Sequence, residues 1–194
     1  MRFIKEHSDT IVKLMINQVG IAIFAFFLYT AAGAIKIENS NTATLIKVGI
    51  SVFSILFYFV LLYYIMWEIG GKDKIRIDAG RLEAKSSKGI LIGLAANSVN
   101  FIIIGAAVIC LAIYMISGAE WLMSTFAVLN AIYRIFVSMY LGAIMGITAT
   151  FAENTEVYYL LQSIGFLVFS LISAVIIHLS YLMGLNNKRL FGGK

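Results

Sequence analysis

Five amide and imidazole side chains stand inside long apolar stretches of this 194-residue sequence. They are Asn17, Gln18, Asn97, Asn100 and His178. If those stretches cross a bilayer, the five residues fall at one depth, near its cytoplasmic side. Polar side chains within a membrane are costly to desolvate, so they either bond neighbouring helices together or form a site. Two interpretations remain open: a polar pocket that opens to the cytoplasm and binds a ligand, or hydrogen bonds between helices.

Arg134 interrupts another apolar segment, and Glu120 and Glu153 lie near the two ends of that segment. A charge in apolar surroundings is stabilised by a charge of opposite sign, so we expect Arg134 to pair with one of these carboxylates. In the alternative, Arg134 faces a cavity on the outer side of the membrane and attracts anions. The spacing of these residues does not decide between the two.

Sequence motifs of common enzymes are absent. His7 and His178 are the only histidines and Cys110 is the only cysteine. Neither a metal site with several histidines nor a redox-active C-x-x-C pair is therefore expected. The H-E-x-x-H and G-x-S-x-G patterns are also missing. We expect a protein without catalytic activity, bound metal or cofactor.

The elements that position these residues are predicted to be membrane helices. Hydrophobic residues make up 61% of the chain and charged residues 13%, whereas soluble domains have roughly half and a quarter. Four stretches with few or no charges are long enough for the roughly 20 residues that cross a bilayer. They cover about 12–35, 46–68, 89–117 and 157–185 of a single membrane domain. The first exceeds the roughly 7–15 apolar residues of a signal peptide, so we interpret it as a retained helix.

The segment from about 121 to 152 is apolar, but Arg134 interrupts it. It is typical of a re-entrant or interfacial hairpin, of one extra span, or of two short ones. With four spans and both termini in the cytoplasm, only Lys36, Lys47 and Arg134 of the 15 Lys and Arg residues lie outside, as the positive-inside rule favours. A fifth span would weaken this asymmetry. We predict an all-α, polytopic transmembrane helix bundle with four spans and a membrane-associated hairpin on the outer side, and six spans are the alternative.

Two G-x-x-x-G patterns occur, from Gly89 to Gly93 and from Gly142 to Gly146. Such patterns allow two helix backbones to approach closely. We expect helix–helix contacts at both places.

Residues 70–88 form the long polar segment of the chain, with six basic and three acidic residues. We predict a cytoplasmic loop in which Lys74–Asp78 forms a short strand and Asp78–Arg81 forms a turn. The basic side chains either contact anionic lipid headgroups or dock a cytosolic partner. Lys74, Arg76 and Arg81 are the candidate docking residues.

These features favour a small integral membrane component of a transport system, which binds a small solute or docks to a larger transporter. The alternative is a non-catalytic accessory, assembly or immunity-type protein that acts through helix–helix contacts, and an intramembrane enzyme fits least. The expected partners are the lipid bilayer and either another membrane protein or a second copy of the chain, and not nucleic acid. Composition and charge asymmetry favour the cytoplasmic (inner) membrane of a bacterium.

Overall fold

The computed structural model describes residues 2–34, 40–151 and 153–190, and all the regular structure in these ranges is helical. This confirms the predicted all-α class. The helices are α1 (Arg2–Glu6), α2 (Ser8–Ala34), α3 (Ser40–Asp78), α4 (Lys88–Ala96), α5 (Ser98–Ser117), α6 (Glu120–Phe136), α7 (Ser138–Thr148) and α8 (Thr155–Leu185). One 3₁₀ turn, Ala149–Phe151, follows α7. The predicted outer cation Lys36 and the terminal Lys194 lie outside the described residues.

Four of the described helices, α2, α3, α5 and α8, are long and apolar enough to cross a membrane. They contain 27, 39, 20 and 31 residues, and a bilayer requires roughly 20. The chain is therefore a multi-pass membrane protein. At 1.5 Å per residue, α3 is about 58 Å long, so part of it projects beyond a hydrocarbon layer of roughly 30 Å.

The C-terminal end of α3 corrects one prediction. The expected short strand at Lys74–Asp78 is wrong, because α3 continues as a helix through Asp78. The expected turn is confirmed: the chain leaves the helix at Asp78, and Gly80 has a φ of +69°. Glycine adopts this left-handed conformation without the steric cost that a side chain brings. The loop therefore covers only residues 79–87.

The apolar segment after α5 forms two helices, α6 and α7, which meet at Val137 with a bend of 116°. With 11 residues, α7 is about 16 Å long and too short to cross a bilayer alone. The pair is therefore a bent unit, either a broken span or a re-entrant element. Counting it as one span gives five spans in the described chain, which is fewer than the six of the alternative.

The chain divides into two compact units. The first unit comprises the residues up to Asn17, Phe57–Asn97 and the residues from Leu171 onward. Leu14, Tyr58, Leu62, Met66, Ile92 and Tyr181 are buried in it. Its helices approach closely through glycine: a Cβ at Gly70 would lie 3.0 Å from Gly184 Cα, and a Cβ at Gly93 would lie 2.9 Å from Ala174 Cα. The helix contact expected at Gly89–Gly93 is thus confirmed, with α8 as the neighbour.

The second unit comprises Gln18–Leu56 and Ser98–Ser170. Phe126, Tyr133, Tyr140 and Phe166 are buried in it, and α6 packs along α5. A Cβ at Gly142 would lie 2.7 Å from Ser51 Oγ on α3, and the Gly142 amide donates a hydrogen bond to that oxygen. The contact expected at Gly142–Gly146 is thus also confirmed.

Candidate solute-binding site

The five polar residues predicted at one depth are divided between the two units. Asn17, Asn97 and His178 belong to the first unit, and Gln18 and Asn100 belong to the second, where both are buried. Within the first unit these side chains have different environments.

Asn97 is buried at the point where the third apolar stretch breaks into α4 and α5. Its Nδ2 donates to the Gly93 carbonyl oxygen at 2.9 Å, and its Oδ1 accepts a hydrogen bond from Ser173 Oγ on α8 at 3.0 Å. An asparagine amide that bonds its own helix competes with the helical hydrogen-bond pattern, which accounts for the break. The same amide links α4 to α8, as expected of interhelical hydrogen bonding.

His178 and Asn17 lie elsewhere on the first unit. His178 is half-buried on α8 beside Gly89, and its Nδ1 is buried without a hydrogen-bond partner in the described chain. Asn17 is half-buried on α2 and lines a surface groove with Lys13 and Ile16. The polar pocket predicted from the five residues stays a prediction.

A buried ionic cluster that the sequence interpretation missed lies where α3, α4 and α8 of the first unit meet. Asp73 is only 2% exposed, and its Oδ2 accepts hydrogen bonds from Lys88 Nζ at 2.7 Å and from the Tyr181 hydroxyl at 2.9 Å. The Lys88 ammonium also lies 5.9 Å from the centre of the Tyr181 ring. Buried ions are stable only when they are paired and hydrogen-bonded, and both conditions are met here.

The signal for Asp73 is present in the spacing of α3. Leu62, Met66, Gly70 and Asp73 follow one another at intervals of four, four and three residues, and all four are buried. Such intervals place residues on one helix face. A prediction in which the helix continues past Gly70, instead of a loop that starts there, would place Asp73 on the buried face.

A cavity of about 460 Å³ lies beside this cluster. Its wall contains the α1–α2 junction, the 79–87 loop, the start of α4 and Tyr181. The charged side chains that line it are Glu6, Arg81, Glu83, Lys85 and Lys88. Apart from Lys88, which is paired with Asp73, the lining carries two cations and two carboxylates. The cavity is thus polar at its rim, balanced in charge, and partly apolar through Phe3, Leu82 and Leu91.

His7 adds a titratable group to this cavity. Burial lowers the pKa of its imidazole below the usual 6.5, and the positive charge of Lys88 lowers this pKa further. The ring therefore stays neutral at pH 7, where one nitrogen donates and the other accepts a hydrogen bond. A neutral imidazole leaves the charge balance of the cavity unchanged.

The three candidate docking residues have separate environments. Lys74 and Asp78 form an exposed ion pair at 3.5 Å along the end of α3, and Arg76 is exposed on the same turn of chain. Arg81, on the loop, lines the cavity instead. The expected docking surface and the observed cavity therefore share one residue.

Arg134, in the second unit, does not pair with the carboxylates expected for it. Glu120 and Glu153 are exposed, and among the described residues neither forms an ion pair with Arg134. The Arg134 Nη2 donates instead to Gln162 Oε1 at 2.6 Å, and the guanidinium lies 5.7 Å from the centre of the Tyr159 ring. Glu120 is 14 residues before Arg134 on the same helix, about 21 Å along its axis, which is beyond the reach of an ion pair.

Metal ligation has no candidate in the described ranges, where no group of three or more His, Cys, Asp or Glu side chains converges. Comparison of the chain with protein-family models, with curated proteins and with solved structures gives no match. The site therefore has to be interpreted from its own geometry.

Proposed function

We propose that this protein is an integral membrane component of a transport system, and that it binds a small zwitterionic solute in the first-unit cavity. The observation that supports this is the balance of charge around a space of about 460 Å³. Ligand pockets typically enclose roughly 300–1,000 Å³ and combine apolar walls with a few polar groups. A cavity with both signs of charge matches a solute that carries both.

Arg81 is the proposed partner of the solute's anionic group. A guanidinium binds a carboxylate through two parallel hydrogen bonds, which a lysine ammonium does not reproduce. Glu83, two residues along the same loop, is the proposed partner of the cationic group. Phe3 and Leu91 supply the apolar surface against which the body of the solute packs.

The ionic cluster beside the cavity fixes the positions of the helices that form its wall. Asp73 holds Lys88 at the start of α4 and Tyr181 on α8, so the helices that carry them are joined by charge-assisted hydrogen bonds. A preformed cavity loses less free energy in ordering its side chains when a ligand binds. The cluster is therefore a positioning element, and the rim residues contact the solute.

The cavity is proposed to face the cytoplasm of a bacterial cell. The positive-inside rule supports this side, because Arg81, Lys85 and Lys88 belong to the basic segment after α3. The solute would thus be received on, or released to, the cytoplasmic side.

The test uses three compounds of similar shape: phenylalanine, 2-phenylethylamine and 3-phenylpropionate, which are zwitterionic, cationic and anionic at pH 7. Equilibrium binding to the purified protein in a neutral detergent should be tightest for phenylalanine. Arg81→Gln should weaken phenylalanine binding about 10-fold or more, because a hydrogen bond to a charged group contributes roughly 1.5–3 kcal/mol.

Arg76→Gln is the matched control, since Arg76 is exposed at the end of α3 and does not line the cavity. It should leave the binding of all three compounds unchanged. Equal effects of the two substitutions, or the same affinity for all three compounds, would contradict the proposal.

A second role, docking to another membrane protein, is favoured by the exposed Arg76 beside the Lys74–Asp78 pair. Charge reversal at Lys74 and Arg76 should release a partner that co-purifies after gentle extraction. Retention of that partner at wild-type stoichiometry would remove this role.

The glycine motifs do not supply the docking surface for that role. Gly142 lies against Lys47 and Ser51 within its own unit, so Gly142→Ala should destabilise the chain by about 1–3 kcal/mol through overpacking. Gly105→Ala is the control, because a Cβ there meets nothing within 4 Å. Release of a partner by Gly142→Ala without loss of stability would contradict this assignment.

A further inference from the structure

A second cavity, of about 430 Å³, lies within the second unit and has a different lining. Phe26, Ile135 and Leu141 give it an apolar wall, and its charged side chains are the two cations Lys47 and Arg134. No carboxylate lines it in the described chain. The cavity is therefore apolar and positively charged.

The hydroxyl groups of this cavity already have partners. Thr30 Oγ1 donates to the Phe26 carbonyl oxygen at 2.8 Å, and Ser138 Oγ donates to the Ala22 carbonyl oxygen. The Tyr29 hydroxyl donates to Met145 Sδ at 3.2 Å. The two cations are thus the polar groups that remain available to a ligand.

Arg134 has unused hydrogen-bonding capacity. Its guanidinium carries five N–H donors, and Nη2 donates a hydrogen bond to Gln162. Its Nε is buried without a hydrogen-bond partner in the described chain, and so is Gln162 Nε2. A buried donor without a partner destabilises the fold, and more so when it is charged. An anion in the cavity would give the guanidinium the counter-charge that it lacks among the described residues.

Lys47 also favours an anion in this cavity. Its ammonium lies 5.5 Å from the centre of the Tyr29 ring, and no carboxylate of the described residues forms an ion pair with it. Two like charges that face one apolar space repel each other, because little solvent screens them. An anion between them would replace this repulsion with two attractions.

We propose that the second-unit cavity binds an anion carried on an apolar chain, such as a fatty-acid carboxylate or the phosphate of a single-chain lipid. The cations bind the anionic group, with the planar guanidinium of Arg134 forming paired hydrogen bonds to two of its oxygens. The wall of Phe26, Ile135 and Leu141 packs against the chain. Burial of each CH₂ group is favourable, so the chain adds affinity that a bare anion lacks.

The test compares dodecyl phosphate, palmitate, inorganic phosphate and dodecyltrimethylammonium, each titrated against the whole protein in a neutral detergent. Dodecyl phosphate and palmitate should bind at least 10-fold more tightly than inorganic phosphate, and dodecyltrimethylammonium should not compete. Binding of inorganic phosphate as tight as that of dodecyl phosphate would overturn the proposal, and so would competition by the cationic amphiphile.

Two charge variants locate the site. Arg134→Gln should weaken dodecyl phosphate binding 10-fold or more, and Lys47→Gln should weaken it several-fold. Lys13→Gln, which removes an exposed cation of the first unit, should have no effect. Unchanged binding in Lys47→Gln would overturn the proposal even if Arg134→Gln failed to fold.

A steric variant tests the cavity without changing its charge. Gly33 lines the cavity, and a Cβ there meets nothing within 4 Å, so Gly33→Leu extends a side chain into open space. Gly20→Leu on the same helix is the control, because its Cβ is equally unobstructed and Gly20 does not line the cavity. Gly33→Leu should abolish dodecyl phosphate binding, and Gly20→Leu should preserve it. Equal binding by the two variants would overturn the proposal.

Discussion

In the first unit, the buried carboxylate of Asp73 accepts hydrogen bonds from Lys88 and Tyr181, whereas in the second unit the guanidinium of Arg134 contacts the neutral side chains of Gln162 and Tyr159. The first unit thus pairs its buried charge with a charge of opposite sign, whereas no carboxylate among the described residues pairs with the half-buried Arg134. Removing one partner of a buried pair is strongly destabilising, while removing an uncompensated charge also removes its desolvation cost. The two buried charges should therefore respond differently to substitution.

The largest expected effect is the loss of the compensated charge. Asp73→Asn should lower the free energy of unfolding by about 3–5 kcal/mol, because it leaves the Lys88 ammonium buried without a counter-charge. Asp78→Asn, which removes an exposed carboxylate paired with Lys74 at 3.5 Å, should change it by about 0.5 kcal/mol or less. Equilibrium unfolding in mixed detergent micelles measures both.

The double variant Asp73→Asn with Lys88→Met sharpens this result. Removing both charges should recover most of the lost stability, because no charge is then left buried without a counter-charge. A double variant as unstable as Asp73→Asn would show that the unpaired charge of Lys88 does not cause the loss of stability.

Removing the charge of Arg134 should change the stability less than removing that of Asp73. Arg134→Met together with Gln162→Leu should leave the free energy of unfolding within about 1 kcal/mol of wild type, or raise it, when anionic amphiphiles are absent. The substitution removes a hydrogen bond and, with it, the buried Nε and Nε2 donors that have no partner. A loss as large as that of Asp73→Asn would show that Arg134 has a structural counter-charge and would break the comparison.

A pH dependence is expected from His7 in the first unit. Burial and the charge of Lys88 lower the pKa of His7 in the folded protein, while Asp73 and Glu6 oppose this shift. The unfolded state then binds more protons below about pH 6.5, so stability should decrease as the pH falls through this value. A decrease in Tm between pH 7.5 and 5.5 should become smaller in His7→Gln. Identical pH profiles for the two proteins would contradict the assignment.

The smallest effect belongs to an exposed ion pair of the first unit. Lys72 and Glu68 are 2.6 Å apart, one helical turn from each other, but their side chains are 65% and 57% exposed. Water screens such pairs, so Lys72→Ala should change stability by about 0.5 kcal/mol or less. A much larger change would show that the stabilities contributed by this pair and by the Asp73–Lys88 pair do not differ because of burial.

The fold was largely predictable because long charge-free stretches leave few alternatives to membrane helices. The four spans and the two glycine contacts follow from composition and spacing. The end of α3 was mispredicted because the alternation Lys74-Ile75-Arg76-Ile77 resembles a strand in isolation. Packing of the same segment against α4 and α8 through Asp73 overrides this local preference.

The candidate sites were predictable only in part. Arg81 and Arg134 were identified from their charge, and both line cavities. The partners of the buried charges were not predictable, because Asp73 and Tyr181 lie 108 residues apart and Arg134 and Gln162 lie 28 apart. Such pairings depend on how helices rotate about their axes, which the sequence of one chain does not specify.

The most direct test of the proposed function is the ratio of the affinities for 3-phenylpropionate and 2-phenylethylamine, measured in the wild-type protein and in Arg81→Glu. A cavity with balanced charge predicts a wild-type ratio near one, with phenylalanine bound more tightly than either. Reversing the charge of Arg81 should shift the ratio toward 2-phenylethylamine by at least 10-fold. A wild-type ratio that strongly favours one ion, or a ratio that Arg81→Glu leaves unchanged, would contradict a zwitterion site in the first unit.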